Sequence, residues 1–422
     1  MRQSNLCKIC KEKMRNILHA QIKSKKNSDR LFSLFAALTW GFTMWSRTAF
    51  NYYTSELGLS ASDAGMVNFV TSIGCTISAI VLSKLADKKG WHKQVLAVGL
   101  ITAGIMQLLL SGSTSFIMMI LWRFLMGLGI GCVYSLTQAI IKEASTPERY
   151  STNAGIVENG EAVISTMMGP VIIVFFITKI GWRRSNILLI IPVLLIAIVW
   201  LIIWRKSGEN KDNYPNKKES KIYFKDLLGI HNMRLCIFLG VLTLTGIWTM
   251  YIYCPMYWTQ SAGFSDIKMS QIMTGMGLAA MLWCLILPAL SNKIGRKKVT
   301  GIFSAISALT FLLLFLVPGT IISMISFIVF AGCPFSLSLF FMAIIATESV
   351  GPKNAASAIS IVNASSEILG GAVCPLLAGY LSDRFGVKMA MLFAAICMVL
   401  VLLITTQLNE TAPNLKHKEV VQ

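Results

Sequence analysis

The chain has 422 residues, of which 55% are apolar and only 14% are charged, and its formal net charge is +19. An average soluble domain has about 45–50% apolar and about 25% charged residues, so this composition excludes an ordinary soluble protein and indicates that lipid is the main solvent. The positive charge lies in short polar segments between long apolar runs, which argues against a nucleic-acid partner.

Apolar runs bounded by charged residues predict twelve transmembrane helices, because a helix needs about 20 apolar residues to cross the hydrocarbon core of a bilayer. Six runs precede a polar segment rich in Lys, Glu and Asn, and six follow it. The predicted spans are 31–54, 63–86, 94–112, 115–142, 152–180, 184–205, 232–261, 268–291, 298–318, 320–348, 355–382 and 387–408.

These runs also predict how the chain is divided. We expect a basic cytoplasmic tail at 1–30, an N-terminal six-helix bundle at 31–205, a cytoplasmic linker at 206–230, a C-terminal six-helix bundle at 231–408, and a cytoplasmic tail at 409–422. An even number of spans places both termini on one side of the membrane.

The distribution of Lys and Arg predicts which side this is. Segments on the side of the termini hold 29 of these residues, and segments on the other side hold six. Because short loops rich in Lys and Arg are retained in the cytoplasm, we expect a multi-pass protein of the cell (plasma) membrane with both termini cytoplasmic. The same basic segments should attract anionic lipid headgroups of the bilayer.

The two halves of the chain repeat each other at a constant offset of 205 residues. At this offset the segment 82–90 aligns with 287–295, Gly127 with Gly332, and Glu143 with Glu348. Parallel six-span repeats that face each other across a midplane cavity are the architecture of alternating access.

Residues 83–93 read Ser-Lys-Leu-Ala-Asp-Lys-Lys-Gly-Trp-His-Lys. This resembles the motif between the second and third spans of the major facilitator superfamily, Gly-x-Leu-Ala-Asp-Arg/Lys-x-Gly-Arg/Lys-x-Arg/Lys, and a degenerate copy follows at 292–298. The resemblance covers essentially the whole chain. It implies an all-α membrane protein with twelve transmembrane helices in two pseudo-symmetric six-helix bundles.

The motif residues are candidates for a cytoplasmic gate. A short turn requires a glycine that has no Cβ to clash, and a carboxylate can face a helix N-terminus. A solvated turn is the alternative, although it accounts for the basic residues and not for the single Asp. The predicted gate residues are Asp87, Gly90, Lys93, Asn292, Gly295 and Arg296.

Within the superfamily, residues 44–60 of the first span are similar to the anion:cation symporter branch, which carries sugar acids and related carboxylates, usually with protons. Arg123, followed by Gly127, resembles the fourth-span Arg-x-x-x-Gly pattern of the family. The chain departs from the branch at Ser46, where the branch has Asp, and at Ile130, where an acidic residue is frequent. Both departures remove proton-coupling sites of the branch.

Arg47 and Arg123 are the candidate ligands for a substrate carboxylate, because each guanidinium keeps its charge and offers paired donors in fixed geometry. The alternative is that each arginine pairs with a buried acid and braces the bundle. Tyr251 and Asn363 are expected to contact substrate as well, although Asn363 could instead serve packing.

Three acids inside spans are candidates for proton coupling. Glu158 and Glu161 share a helix face, and two carboxylates at one site favour keeping a proton between them. Glu161 is also expected to face the substrate, whereas Glu158 is equally suited to pair with an arginine. Glu367 is either a third coupling site or a residue that hydrogen-bonds across the bundle.

These features predict a secondary active transporter that moves a small organic anion, a carboxylate or sugar acid, with H+ as the coupling ion. An organic-anion exchanger and a drug or metabolite proton antiporter for efflux are the alternatives. The sequence shows no Walker loop or catalytic triad, and Cys7 and Cys10 lack a second ligand pair. We therefore expect a monomer that is not an enzyme and holds neither cofactor nor metal.

Overall fold

The computed structural model describes residues 30–412 apart from residues 55, 145–146, 208–223 and 351–354. Most of the two predicted tails and of the predicted linker therefore lies outside the described residues, as do Cys7 and Cys10. Regular secondary structure in the described part is helical throughout.

Six helices form the N-terminal bundle. Two of them are not regular along their length, because α4 is interrupted after Ile130 and α5 contains a π-helix. The helices are α1 (30–48), α2 (Ala61–Lys89), α3 (His92–Ser111), α4 (Phe116–Ile130 and Val133–Ala144), α5 (Pro147–Gly160, the π-helix Glu161–Met168, and 169–180) and α6 (182–207).

Six further helices form the C-terminal bundle, preceded by a short helix at Phe224–Gly229. Three of these six helices carry π-helical turns in their described parts. The helices are α7 (His231–Met256 and Tyr257–Ser261), α8 (Asp266–Ile294), α9 (Arg296–Leu316), α10 (Ile321–Phe330, Cys333–Leu339, Phe340–Ile344 and Ile345–Val350), α11 (Ala355–Ser365, Ser366–Val373 and Cys374–Phe385) and α12 (Lys388–Thr405).

Ten of the described helices are long and apolar enough to cross a membrane. One of the ten, Gly155–Ile203, has 49 residues and provides two crossings, because the backbone at Gly181 has φ 77° and ψ 163° and ends α5 there. The separate helix α1 supplies the remaining crossing. The prediction of twelve transmembrane helices in two six-helix bundles is confirmed.

Each bundle is itself a pair of three-helix units. The turns after α2, α5, α8 and α11 all contain a glycine with positive φ, at Gly90, Gly181, Gly295 and Gly386. These glycines are 91 residues apart within each half and 205 residues apart between halves. The offset of 205 was visible in the sequence, whereas the offset of 91 emerges only when the turns are compared in the structure. Inverted repeats of three helices nested within each six-helix half are known in transporters.

The bundles meet along a seam, which we define as the contact of α2 and α5 with α11 and α8. Glycines allow close approach there, since a Cβ at Gly277 of α8 would overlap the carbonyl group of Thr166, and one at Gly379 would lie 2.7 Å from the carbonyl oxygen of Ala61. A continuous cluster of buried apolar side chains joins the two bundles in the same region. We call the end of the seam where Ala61 meets α11 the closed end, and the other the open end.

Candidate functional site

Arg47 lies in the last turn of α1, where it joins the two bundles. Its Nη2 donates to the hydroxyl of Ser72 at 2.7 Å and to the Glu367 carboxylate of α11 at 2.8 Å. The guanidinium carbon also lies 3.8 Å from the centre of the Trp248 ring. Only 6% of Arg47 is exposed. In this conformation Arg47 therefore makes the acid pairing that was the alternative to substrate binding.

Arg123 holds the backbone of Arg47. Because α1 ends at residue 48, the carbonyl of Arg47 is one of the last four that lack a partner within the helix. Nη2 of Arg123 donates to this oxygen at 2.9 Å, and the guanidinium carbon lies 4.9 Å from the ring of Phe50. A cation at a helix C-terminus is favoured by the helix dipole. The contacts that we identify for Arg123 among the described residues include no carboxylate.

Arg123 reaches this position because α4 packs unusually close to α2. A Cβ at Gly127 would overlap the carbonyl oxygen of Thr71, and a Cβ at Gly131 would overlap the backbone of Cys75. The small residues after Arg123 therefore set the distance between the two helices. The side chain is buried, with 2% exposure.

Glu158 and Glu161 lie one turn apart on α5, just before and at the start of its π-helix. Glu158 is exposed and hydrogen-bonds Tyr134, whereas Glu161 is half-buried beside the indole of Trp40. Both acids lie within electrostatic range of Cys284 on α8, so they face the seam. The exposure of Glu158 indicates that the seam widens on this side, towards the open end.

The position of Glu161 next to α1 follows from another close helix contact. A Cβ at Gly41 would overlap the carbonyl oxygen of Gly160, and a Cβ at Gly160 would overlap that of Ala37. The rings of Trp40 and Tyr134 lie 4.9 Å apart and form an aromatic wall beside the two glutamates.

Tyr251 and Asn363 both lie at the seam. The hydroxyl of Tyr251 lies 2.5 Å from that of Thr166, which connects α7 to α5, and Tyr251 is buried. Asn363 is half-buried one turn before Glu367 on α11, and its side-chain oxygen has no hydrogen-bond partner among the described residues. Tyr251 thus bridges the bundles, while Asn363 offers an unused acceptor.

The predicted gate residues lie far from this site. Gly90 ends α2 with φ 71°, and it is 18 residues beyond Ser72, or about 27 Å along the helix. Lys93 is the second residue of α3, and Asn292 lies near the end of α8. For Asp87 the structure describes only the backbone, which is helical.

The second copy of the motif ties three elements of the C-terminal bundle together at the open end. Gly295 has φ 104°, and Arg296 begins α9 with an ion pair of 3.0 Å to Glu348 of α10. Arg296 also donates to the hydroxyl of Ser291, and its backbone N–H donates to Glu410 at 2.9 Å. This network lies within one bundle and does not cross the seam.

Two sets of hydrogen bonds made by polar side chains at this site were not predicted from the sequence. Ser46 donates to Gln107, whose amide donates to Asn186 at 3.0 Å, so a buried polar network joins α1, α3 and α6. Asn68 donates to the carbonyl oxygen of Gly371 across the seam at 2.8 Å. These residues are polar but uncharged and far apart in the chain, and no local pattern marks them. Position 46 was noticed only because it departs from the Asp of the anion:cation branch.

The site therefore brings Arg47, Arg123, Glu161 and Glu367 together between two helical bundles, with Glu158 on the open side. Charged residues buried between membrane helices mark substrate or ion pathways. Fold and site together define a membrane carrier.

The chain belongs to the Major Facilitator Superfamily, whose family model matches residues 31–375. It is a transporter rather than an enzyme.

Several curated proteins are similar to this chain. The cis,cis-muconate transport protein of Acinetobacter baylyi is 25% identical over 370 residues, covering 84% of this chain and 87% of that protein. The sialic acid transporter NanX of Escherichia coli is 25% identical and the multidrug resistance protein MdtL of Shewanella oneidensis is 26% identical. These two matches cover 60% and 61% of this chain, and 62% and 65% of the relatives.

Solved structures show the same fold. A bacterial homologue of the human lysosomal transporter Spinster, described as inward-facing and unoccupied, superposes with a TM-score of 0.76 at 14% identity, covering 89% of this chain and 96% of that one. A D-xylose–proton symporter superposes with a TM-score of 0.71 at 15% identity, covering 91% and 98%.

Proposed function

We propose that this protein carries a small organic anion, a carboxylate or sugar acid, by alternating access and in symport with protons. The observation that carries the proposal is the ion pair of Arg47 with Glu367, which joins the bundles at the seam. Two relatives named for acids, the muconate and sialic acid transporters, support the substrate class.

A substrate carboxylate can replace the carboxylate of Glu367 on Arg47. Removing one partner of a buried ion pair costs about 3–5 kcal/mol, because the remaining charge is left uncompensated. Exchange of one carboxylate for another avoids this cost for Arg47. Glu367, which is 25% exposed, then has to enter water or take up a proton. Substrate binding would thereby weaken a contact between the bundles.

The charges of the site favour uptake of a proton together with the anion. Arg47 and Arg123 carry two positive charges, and Glu367 carries one negative charge. Glu158 and Glu161 carry one more negative charge if they share a proton. The site is then neutral when it is empty. An added carboxylate gives it a negative charge, and protonation of the second glutamate or of Glu367 restores neutrality.

The predicted orientation assigns a state of the transport cycle to the described conformation. If the termini are cytoplasmic, the closed end faces the outside and the open end faces the cytoplasm. The described conformation would then be the inward-open state, which releases substrate into the cell and leaves Arg47 paired with Glu367.

Efflux of a cation is the second candidate function, and the exposure of Glu158 favours it. Both arginines are buried, whereas this carboxylate is exposed beside the aromatic wall of Trp40 and Tyr134. Carboxylates next to aromatic faces attract organic cations. The similarity to a multidrug resistance protein is consistent with this candidate.

Ligand binding and transport by the purified protein test these proposals. Binding of cis,cis-muconate, N-acetylneuraminate, nicotinate, gluconate or tetraphenylphosphonium would raise the melting temperature, since a ligand of the folded state stabilises it. We expect stabilisation by an acid and not by the cation, and uptake of that acid into proteoliposomes that rises with an inward proton gradient. Stabilisation by tetraphenylphosphonium alone would establish the cation candidate, and uptake only into vesicles loaded with a counter-anion would establish exchange.

A further inference from the structure

We propose that Asp383 holds the closed end together by capping the N-terminus of α2 in the opposite bundle, and that this cap has to be released for the closed end to open. Its Oδ1 accepts the backbone N–H of Ala61 at 2.7 Å, and its Oδ2 accepts that of Ser62 at 3.0 Å. The hydroxyl of Ser62 donates to the same carboxylate. The inference rests on the proposed alternating access and adds a residue to its cycle.

The start of α2 shows why a partner from the other bundle is needed. The first four N–H groups of a helix have no partner within it. In α2 a capping box satisfies two of them, because Ser60 Oγ accepts the N–H of Asp63 at 3.1 Å and Asp63 accepts the N–H of Ser60 at 3.1 Å. The other two donors belong to Ala61 and Ser62, and both are satisfied by Asp383. A carboxylate at this position is also stabilised by the positive end of the helix dipole.

The fit at the closed end depends on close contact between α2 and α11. Gly379 lies one turn before Asp383, and a Cβ there would be 2.7 Å from the carbonyl oxygen of Ala61. A Cβ at Gly65 would be 3.2 Å from the Cα of Leu376. Any separation of the bundles that admits solute at this end therefore moves the carboxylate away from both amide groups.

The internal repeat provides a second, independent argument. Asp383 lies three residues before Gly386, and the equivalent residues of the other three units are Asp87, Thr178 and Asn292. A carboxylate is thus retained only in α2 and α11, the two helices that face each other along the seam. Asp87, a predicted gate residue, and Asp383 lie at opposite ends of this helix pair. Asp383 thus occupies at the closed end the position that Asp87 occupies at the other end of the helix pair.

The contact is suited to reversible opening. Hydrogen bonds to a charged group are stronger than neutral ones, yet both partners can be hydrated once they separate at the membrane surface. Asp383 and Ala61 themselves line a 370 Å³ pocket, together with Leu59, Ser60, Gln260 and Gly386, and the Asp383 side chain is exposed.

Hydrogen–deuterium exchange of the purified full-length protein tests the proposal. The variants are Asp383→Ala and the isosteric Asp383→Asn, with Asp63→Ala as the matched control. The control removes a cap from the same helix end without touching the contact across the seam. We expect Asp383→Ala to accelerate exchange about tenfold or more at the start of α2 and at the end of α11, with a smaller effect for Asp383→Asn. Peptides at 155–161 and 358–366, near the open end, should become more protected from exchange, because the population shifts towards the conformation in which the closed end has opened.

Acceleration confined to the first turn of α2, as expected for Asp63→Ala, would show that Asp383 is only a helix cap and would overturn the proposal. Unchanged exchange in both Asp383 variants would overturn it as well. A failure of the proposed function looks different, because wild-type protein would then take up no acid while the two Asp383 variants still opened the closed end.

Discussion

Replacement of Glu367 by glutamine separates the role of this residue from that of Arg47. The substitution keeps a hydrogen-bond acceptor opposite Nη2 but removes the negative charge, while Ser72 and the Trp248 ring still contact the guanidinium. Removing one partner of a buried ion pair outright costs about 3–5 kcal/mol, whereas the hydrogen bond that the charged guanidinium keeps to the glutamine oxygen contributes about 1.5–3 kcal/mol. We therefore expect Glu367→Gln to lower the free energy of unfolding by about 1–2 kcal/mol.

The same substitution should strengthen binding of an anionic substrate. In the wild-type protein a substrate carboxylate has to displace Glu367 from Arg47, whereas the glutamine competes weakly. A difference of about 1.4 kcal/mol corresponds to a tenfold change in affinity, so the substrate Kd of Glu367→Gln should be lower by about tenfold. Arg47→Gln should abolish binding. Isothermal titration with the acid that stabilises the wild-type protein measures both effects.

Glu348→Gln is the matched control, because Glu348 forms a comparable ion pair with Arg296 and has 22% side-chain exposure against 25% for Glu367. Its loss should lower stability by a similar amount and leave substrate affinity unchanged, since this pair lies within one bundle. If Glu367→Gln weakened binding as much as Arg47→Gln does, Glu367 would not compete with the substrate and the exchange of carboxylates on Arg47 would be refuted.

Two further predictions concern protons. The Glu161→Gln variant should still take up the acid, but an inward proton gradient should no longer stimulate this uptake. The control is Glu56→Gln, which changes a carboxylate that accepts the backbone N–H of Trp182 and should leave the stimulation intact. Stimulation that survives in Glu161→Gln would contradict the proposed role of Glu161. Burial of Glu410 raises its pKa, but backbone N–H groups of Ala412, Arg296, Lys297 and Thr411 lower it more, so its net pKa is below the ordinary value. A carboxyl whose pKa is lower in the folded than in the unfolded protein stabilises the folded state at pH values above the unfolded pKa of about 4.3. This stabilisation is lost as the pH falls through the pKa of the folded state. The melting temperatures of wild type and Glu410→Gln should therefore differ above about pH 5 and converge as the pH falls further, and a constant difference would exclude this linkage.

The sequence by itself determined the number of helices, their grouping into two bundles and the family. Each of these depends on local features of the chain, namely apolar runs of sufficient length, short polar breaks, and a motif repeated at a fixed offset. Apolar runs predict helices well in this chain because its solvent is lipid. A membrane-spanning segment has to satisfy its backbone hydrogen bonds internally and is therefore helical. Orientation in the membrane, the tails and the monomeric state remain predictions.

The sequence also identified the charged residues of the site but not their partners. It left open whether Arg47 binds substrate or pairs with an acid, and the structure pairs it with Glu367, which is 320 residues away. It selected Arg123 for its charge, whereas the structure uses that charge on the carbonyl at the end of α1. It did not select Asp383, whose carboxylate meets two amide groups of a helix that starts 322 residues earlier.

Such pairings depend on how closely helices approach, and that distance is set by glycines facing each other across an interface. Whether Gly379 packs on Ala61, or Gly127 on Thr71, is decided by the complementary surfaces of two distant segments. Hydrophobic periodicity records which residues are buried along one helix and carries no information about the helix opposite. The positions of the charges between the bundles are therefore a property of the tertiary structure alone.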